Sequence, residues 1–407
     1  MSPEMQTQCE LEREVLRRID DGYVVDLLQK LVRIPSVAPP CQLDEIASFV
    51  GEEMESYGHT VVTAGDHGEG WSRPNVLGTL EGTGEDWGLI LNAHMDVVPP
   101  YDLSQWNLDP FAGEIVDGTI YGRGTADTKG SLAAMMAAGR AVALSGVTLG
   151  RTLAVVAWAG DEWTPPDADW FNGESFLASH GFLKPAPYIG GEPYDLKICY
   201  ISRGRIWFDF VVGGEATHSA TGQGINAILK AIKLIQGIYQ VNVGLHPVLG
   251  ADSVNVGTIK GGTQTNMVPD ECAFSFDIRF APPLTASKVR MMVEEVVENL
   301  EEDDPDFELL KMEVPEKREP VQFPSDGGLV QAMLKAGQVG LGREMSLGGA
   351  LSFGDIEDWK DEVGIVEACL FGPGETKQAH AINEHIKLDD LIAAAKVYAL
   401  TALYCCG

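Results

Sequence analysis

What this chain lacks narrows it first. Its seven cysteines contain no CxxC pair; they stand at Cys9, Cys41, Cys199, Cys272, Cys369, Cys405 and Cys406 without regular spacing. That scatter argues against a disulfide framework, and reduced thiols are expected. No apolar run reaches the ~18 residues a membrane helix needs. Basic residues are scarce, with 29 Lys and Arg against 60 Asp and Glu, a formal charge of -31. Phosphate binding needs a basic stripe, so the balance argues against nucleic acid and against an anionic membrane surface. Met1 to Glu14 is polar and acidic rather than basic then apolar, and a cytoplasmic location is expected. Gly122, Gly124 and Gly130 resemble a phosphate cradle, but neither GxGxxG nor a Walker lysine-serine pair is in register, which argues against a nucleotide site.

What is present reads as a globular chain of two domains: 407 residues, 45% hydrophobic and 22% charged. Acidic runs such as Glu301-Glu302-Asp303-Asp304 read as solvated surface, with salt adaptation or cation attraction as the other readings. Apolar spacing predicts helices over 21–34 and 43–57, the first stopping before Pro35. Strands are predicted over 60–63, 75–80 and 89–93. This alternation is the pattern of an α/β sheet covered by helices. Pro99 to Gly122 reads as a long irregular segment, a length usually reserved for function. A helix of small and apolar residues follows over 131–144, then a strand over 151–159, and a last helix over 388–404.

Chemistry-bearing residues sit at the ends of these elements. His94 and Asp96, two apart at a strand's carboxyl end, point to one side, an arrangement that suits a ligating imidazole with an acidic partner. Asp127 precedes a helix, where it reads either as an N-cap or as a functional anion. Asp161 and Glu162 end a buried strand, and two such carboxylates repel each other unless a cation is present. Glu192 follows another apolar stretch, and His380 lies in a polar loop before the last helix. Nitrogen and oxygen donors without thiolates are what a catalytic zinc, manganese or cobalt centre uses.

The segments His94-Met95-Asp96, Gly122-Arg123-Gly124 to Asp127-Thr128-Lys129-Gly130, Asp161-Glu162, Glu192-Pro193, His218-Ser219, Asn266-Met267-Val268-Pro269 and His380-Ala381-Ile382-Asn383-Glu384 occur in the order of one family. The chain resembles, over about residues 20 to 400, the co-catalytic metallohydrolases that include acetylornithine deacetylase, succinyl-diaminopimelate desuccinylase, aminoacylase-1 and carboxypeptidase G. The resemblance implies two divalent metals, zinc first, with manganese or cobalt as alternatives. His94 and Glu192 would hold one, Glu162 and His380 the other, and Asp127 would bridge them. Asp96 would orient His94, and the peptide after Asp127 would be cis. The family usually carries two glutamates where this chain has Asp161 and Glu162. Two registers follow: Asp161 as general base with Glu162 as ligand, or Glu162 as base with Trp163 in place of a ligand. The Trp163 to Trp170 stretch also departs from the family's glycine-rich sequence.

From Gly204 the order of predicted elements is β-α-β-β-α-β, a two-layer sandwich large enough to fold as an insert. The expected organisation is a catalytic domain over 1–203 and 315–407, with a mixed, mostly parallel sheet flanked by helices. The α+β insert over 204–314 would serve as lid and dimerisation domain. By the resemblance His218 would stabilise an oxyanion, often in the partner subunit's site, while Asn266 and Arg279 would grip a substrate carboxylate. The implied activity is metal-dependent cleavage of an amide bond in a small carboxylate-bearing substrate, an N-acyl amino acid or a dipeptide, in a homodimer. The altered base position supports two rivals. One is a non-hydrolytic enzyme forming amides or acting as a lyase; the other is a protein that only binds metal or ligand.

Overall fold

The computed structural model describes residues 3–170, 172–351, 360 and 362–407. The chain divides into two compact units, one of Met1–Tyr200, Phe323–Gly348 and Gly354–Gly407, the other of Ile201–Gln322 and Gly349–Phe353.

At the centre of the first unit four strands run parallel, in the order Thr152–Trp158, Trp87–His94, Tyr188–Gly190 and Ala368–Leu370. All four are buried from end to end. Continuous apolar runs such as Leu89-Ile90-Leu91 therefore form strands without alternation, because both faces of the sheet are covered. Antiparallel strands flank this centre, the hairpin Thr60–Gly68 and Trp71–Leu80 on one side and Ile198–Ser202 on the other. The sheet is thus mixed, and parallel pairing is confined to its middle rather than prevailing throughout.

Lys129–Ser145 packs on this sheet through a face of alanine, glycine and methionine, and everything from Lys129 to Gly139 is buried. The terminal helix Leu388–Cys406 is equally embedded. Asp21–Arg33 buries Val24, Leu27, Leu28, Leu31 and Val32, and its Asp20 cap accepts the Tyr23 N–H. Elements beyond those expected also form. Pro3–Arg17 is helical, docking Val15 with Leu11 and Leu16 into the core; its sparse apolar positions did not announce it. Within the stretch expected to be irregular, Glu114–Val116 and Thr119–Tyr121 form a hairpin over an Asp117-Gly118 turn, both turn residues at positive φ. Three-residue strands are too short to show a period.

The second unit has a sheet ordered Ser253–Gly261, Glu271–Phe280, Gly204–Gly213 and Leu309–Glu313. Glu271–Phe280 alternates strictly, sending Cys272, Phe274, Phe276, Ile278 and Phe280 inward. The helices Ala227–Ile238 and Ala286–Asp303 meet that face, joining Phe208, Phe210, Val289 and Val293 in one core. The chain order is β-α-β-β-α-β, with a small extra hairpin of Leu245–His246 and Gly250–Ala251.

Candidate metal centre

The parallel strands determine where the site lies. His94 ends its strand opposite Trp158 of one neighbour, while Asn92 stands opposite Gly190 of the other. Asp161 and Glu162 lie a few residues past Trp158, and Glu192 lies two past Gly190, so all emerge at the same edge. The carboxyl ends of parallel strands are where α/β proteins gather ligands, because the chain there turns into loops free to carry polar side chains.

Geometry at this edge is tight. His94 Nδ1 donates to the Asp96 carbonyl oxygen at 2.9 Å, and its Nε2 faces Asp127 Oδ1 at 3.0 Å. Asp127 Oδ2 lies 3.4 Å from His380 Nε2, which is 2.9 Å from Glu162 Oε2. One donor atom each from His94, Asp127 and Glu192 lie within 4.8 Å of one another, and so do those of Asp127, Glu162 and His380. Asp127 belongs to both groups and turns a different oxygen to each histidine. Asp161 Oδ2 stands 3.9 Å from His94 Nε2, its side chain 32% exposed.

The electrostatics call for positive charge. Burial disfavours a proton on His94, yet the Asp161, Asp127 and Asp96 carboxylates push its pKa well above the usual imidazole range. The hydrogen bond with Glu162 raises that of His380. Burial opposes ionisation of Asp127, but the hydrogen bond from His94 and the charges of both histidines hold its pKa low. Burial raises that of Glu162. Two imidazoles and three carboxylates, without a thiol, are a donor set that fits hard or borderline divalent cations.

Neighbouring groups hold these side chains. The Asp96 carboxylate accepts from Gly160 N–H at 3.0 Å, Asp161 N–H at 3.3 Å and Glu162 N–H at 2.9 Å, and comes no closer than 3.8 Å to His94 Nδ1. The expected carboxylate-imidazole link is thus made by the Asp96 main chain instead. Three converging N–H groups claim the side chain, which orients the acidic turn rather than His94. Asp127-Thr128 is cis. Lys129 is fully buried and donates to Leu31 O at 3.0 Å and Ile34 O at 2.9 Å, tying the Asp127 turn to the end of the Asp21–Arg33 helix. Burial pushes its pKa down to about 7. The segment after Glu162 is anchored to the hairpin: Trp71 Nε1–H donates to Asp167 at 3.0 Å, and the buried Arg73, paired with Asp66, donates to Trp170 O at 2.8 Å. Trp163 packs against the core.

His218, Asn266 and Arg279 belong to the second unit. Ser219 N–H donates to Asn266 O at 3.0 Å, and His218 bridges to Met267, so the two loops lie side by side with both side chains exposed. His218 Nδ1 accepts the Ala220 N–H at 3.1 Å, which places the ring proton of the neutral form on Nε2. Arg279 is engaged: its Nε donates to Asp277 Oδ1 at 2.9 Å and its Nη2 to Oδ2 at 3.0 Å. A guanidinium expected to grip a substrate carboxylate already holds one from its own strand, because residues two apart share a face.

One imidazole from a strand end and one from the loop before the last helix meet around a shared aspartate, which makes this an α/β protein with a carboxylate-histidine centre. The chain belongs to Peptidase family M20/M25/M40, which it matches over residues 90–404, and is by that membership a hydrolase of amide bonds. It is 29% identical over 349 residues to acetylornithine deacetylase of Myxococcus xanthus, covering 83% of this chain and 86% of that one. To a protein named probable succinyl-diaminopimelate desuccinylase, from Staphylococcus epidermidis, it is 26% identical over 357 residues, 80% of this chain and 85% of the other. Its fold matches an M20 family metallo-carboxypeptidase, Sso-CP2 from Sulfolobus solfataricus, with a TM-score of 0.72 at 20% identity, covering 94% and 99% of the two chains.

Proposed function

We propose that the chain is a divalent-metal-dependent deacylase or dipeptidase acting on a small substrate that carries a carboxylate next to its amide. The observation that carries this reading is Asp127, shared between two donor groups with one oxygen toward each. His94, Asp127 and Glu192 would hold one cation and Asp127, Glu162 and His380 a second, with zinc first and manganese or cobalt as alternatives. Bound there, such cations supply Lewis acidity, acidifying water and polarising a carbonyl. Asp161 is the proton acceptor: its side chain is partly open to solvent, stands beside His94, and its backbone is held by Asp96. It takes a proton from the attacking water and returns it to the leaving nitrogen. The placement of Glu162 against His380, with Trp163 turned to the core, supports this register over its alternative. The names of the relatives, a deacetylase and a desuccinylase, support hydrolysis over the non-hydrolytic and binding-only readings that the altered base position raised.

From the second unit, His218 is proposed to donate from Nε2 to the developing oxyanion, and Asn266 to contact the substrate. Arg279 would join only by leaving Asp277. Acetylornithine and succinyl-diaminopimelate, named for the relatives, are N-acyl amino acids, which supports the same substrate class. The exposed edge strand Ser253–Gly261 and exposed Leu229 and Ile232 support a homodimer formed through this unit. Among the described residues no helix is long and apolar enough to cross a membrane. The seven free cysteines support a cytoplasmic setting.

The test is incubation of zinc-, manganese- or cobalt-loaded protein with a pooled panel of N-acyl amino acids and dipeptides, followed by mass spectrometry. Release of free amine that a chelator abolishes is expected. Intact substrates from fully loaded protein would sink the reading.

A further inference from the structure

Glu384 is a carboxylate of the first unit that accepts four hydrogen bonds. It is fully buried, and both oxygens are doubly occupied. Oε1 accepts the backbone N–H groups of Ala126 at 2.8 Å and Asp127 at 3.0 Å; Oε2 accepts that of Gly124 at 2.9 Å and Arg123 Nη1–H at 2.6 Å. Its own carbonyl accepts the Gly122 N–H at 2.9 Å. A buried carboxylate with this many donors is a fixed joint, since any displacement strips hydrogen bonds from a charge out of reach of water. Glu384 stands four residues after His380, and its four donors span the turn ending at Asp127. Arg123, clamped by Glu384, also reaches the His380 carbonyl at 3.4 Å.

The His380 loop needs such a joint. His380 and Asn383 both have positive φ, at 61° and 60°, a conformation that side chains other than glycine rarely hold without outside support. Asn383 receives some from the Asn107 N–H, bonded to its Oδ1 at 2.7 Å. Asp96 does the same for the turn of Asp161 and Glu162. Two carboxylates that stand outside both donor groups thus grip the backbones of the two acidic turns.

We propose that Glu384 is a positioning residue that locks the Asp127 turn and the His380 loop into one rigid cradle, so that the affinity of the site for divalent cations depends on it. This rests on the metal centre proposed above. A variant Glu384→Gln keeps the shape but turns an amide N–H₂ toward groups that are all donors. The measurement is cobalt and zinc affinity of the metal-free protein by chelator competition, with the visible cobalt spectrum reporting coordination geometry. Glu384→Gln is expected to weaken binding by about 10- to 100-fold, the usual cost of removing a group that orients ligands, and to alter the spectrum. Glu384→Asp keeps the charge but is one methylene short, and should restore part of the affinity.

Removing one partner of a buried ion pair can unfold a protein. The double variant Arg123→Met with Glu384→Gln leaves no unpaired charge and is expected to show the same weakened binding. Affinity within threefold of wild type in either folded variant overturns the proposal. Failure of both to fold also overturns it, by assigning Glu384 to the fold rather than to the cradle. Wild-type protein that binds no cation would instead sink the metal centre itself, and this proposal with it.

Discussion

Acidification should destabilise this protein through His59, a residue outside both donor groups. The residue is 5% exposed, neither ring nitrogen has a hydrogen-bond partner among the described residues, and Tyr57 stands edge-on to it at 5.1 Å. Gly139 and Gly78 pack so closely against the ring that a side chain at either would collide with His59 or Met54. Burial alone drives its pKa from 6.5 down to about 4. The folded state therefore refuses a proton that the unfolded chain accepts. Above pH 6.5 both states are neutral and there is no penalty. As pH falls below 6.5 the unfolded state gains protons first, and stability declines until about pH 4, where the folded form also protonates. The difference corresponds to about 2 kcal/mol at pH 5 and about 3 kcal/mol at pH 4. A variant His59→Leu lacks this term. Urea unfolding of the metal-free protein, followed by tryptophan fluorescence at pH 7.5 and pH 5, should show wild type losing about 2 kcal/mol more than the variant. Equal losses, or a larger loss in the variant, would refute the assignment of a neutral buried imidazole.

Other outcomes follow from the site and the core. Asp161→Asn should lower amide turnover by ~10²- to 10⁴-fold while leaving cation affinity within a few-fold, since Asp161 belongs to neither donor group; turnover near wild type would remove it as the proton acceptor. Gly191→Ala should cost about 1–3 kcal/mol in chemical unfolding, because its new methyl carbon would stand 2.7 Å from Ser131 Cβ and 2.9 Å from Met135 Cε, wedging the Lys129–Ser145 helix off the sheet. A neutral substitution there would mean the helix-sheet seam has slack. With a net charge of -31, the melting temperature should climb by several degrees as sodium chloride rises from about 0.1 M to about 1 M, which shortens the screening length from ~10 Å to ~3 Å. A fall with salt would show that local ion pairs outweigh the repulsion.

Much of the fold was legible in the sequence. Leu89-Ile90-Leu91 and the run before Asp161 could hardly be anything but buried strands, and the residues at their carboxyl ends were the chemically loaded ones. Contacts between segments far apart in the chain were not legible. That Asp96 would spend its carboxylate on the N–H groups of residues 160–162 depends on how two parallel strands align. The Glu384 joint depends on a loop returning from 260 residues away. The Asp277–Arg279 pair is different. Its strand period put both on one face, so the local partner was available to sequence reasoning and was overlooked. The helix Pro3–Arg17 was hidden by its polarity, since a few apolar side chains meeting a core built by later segments leave little periodic signal.

Asp127 is proposed to join two cation sites. Crystals of the zinc-loaded protein, measured at the zinc absorption edge, test it most directly through anomalous difference density. Two peaks are expected on either side of the Asp127 carboxylate, one at ligand distance from His94 and Glu192 and the other from Glu162 and His380. Full-occupancy zinc bound elsewhere, or a single peak that leaves one of these pairs empty, would rule out a shared Asp127.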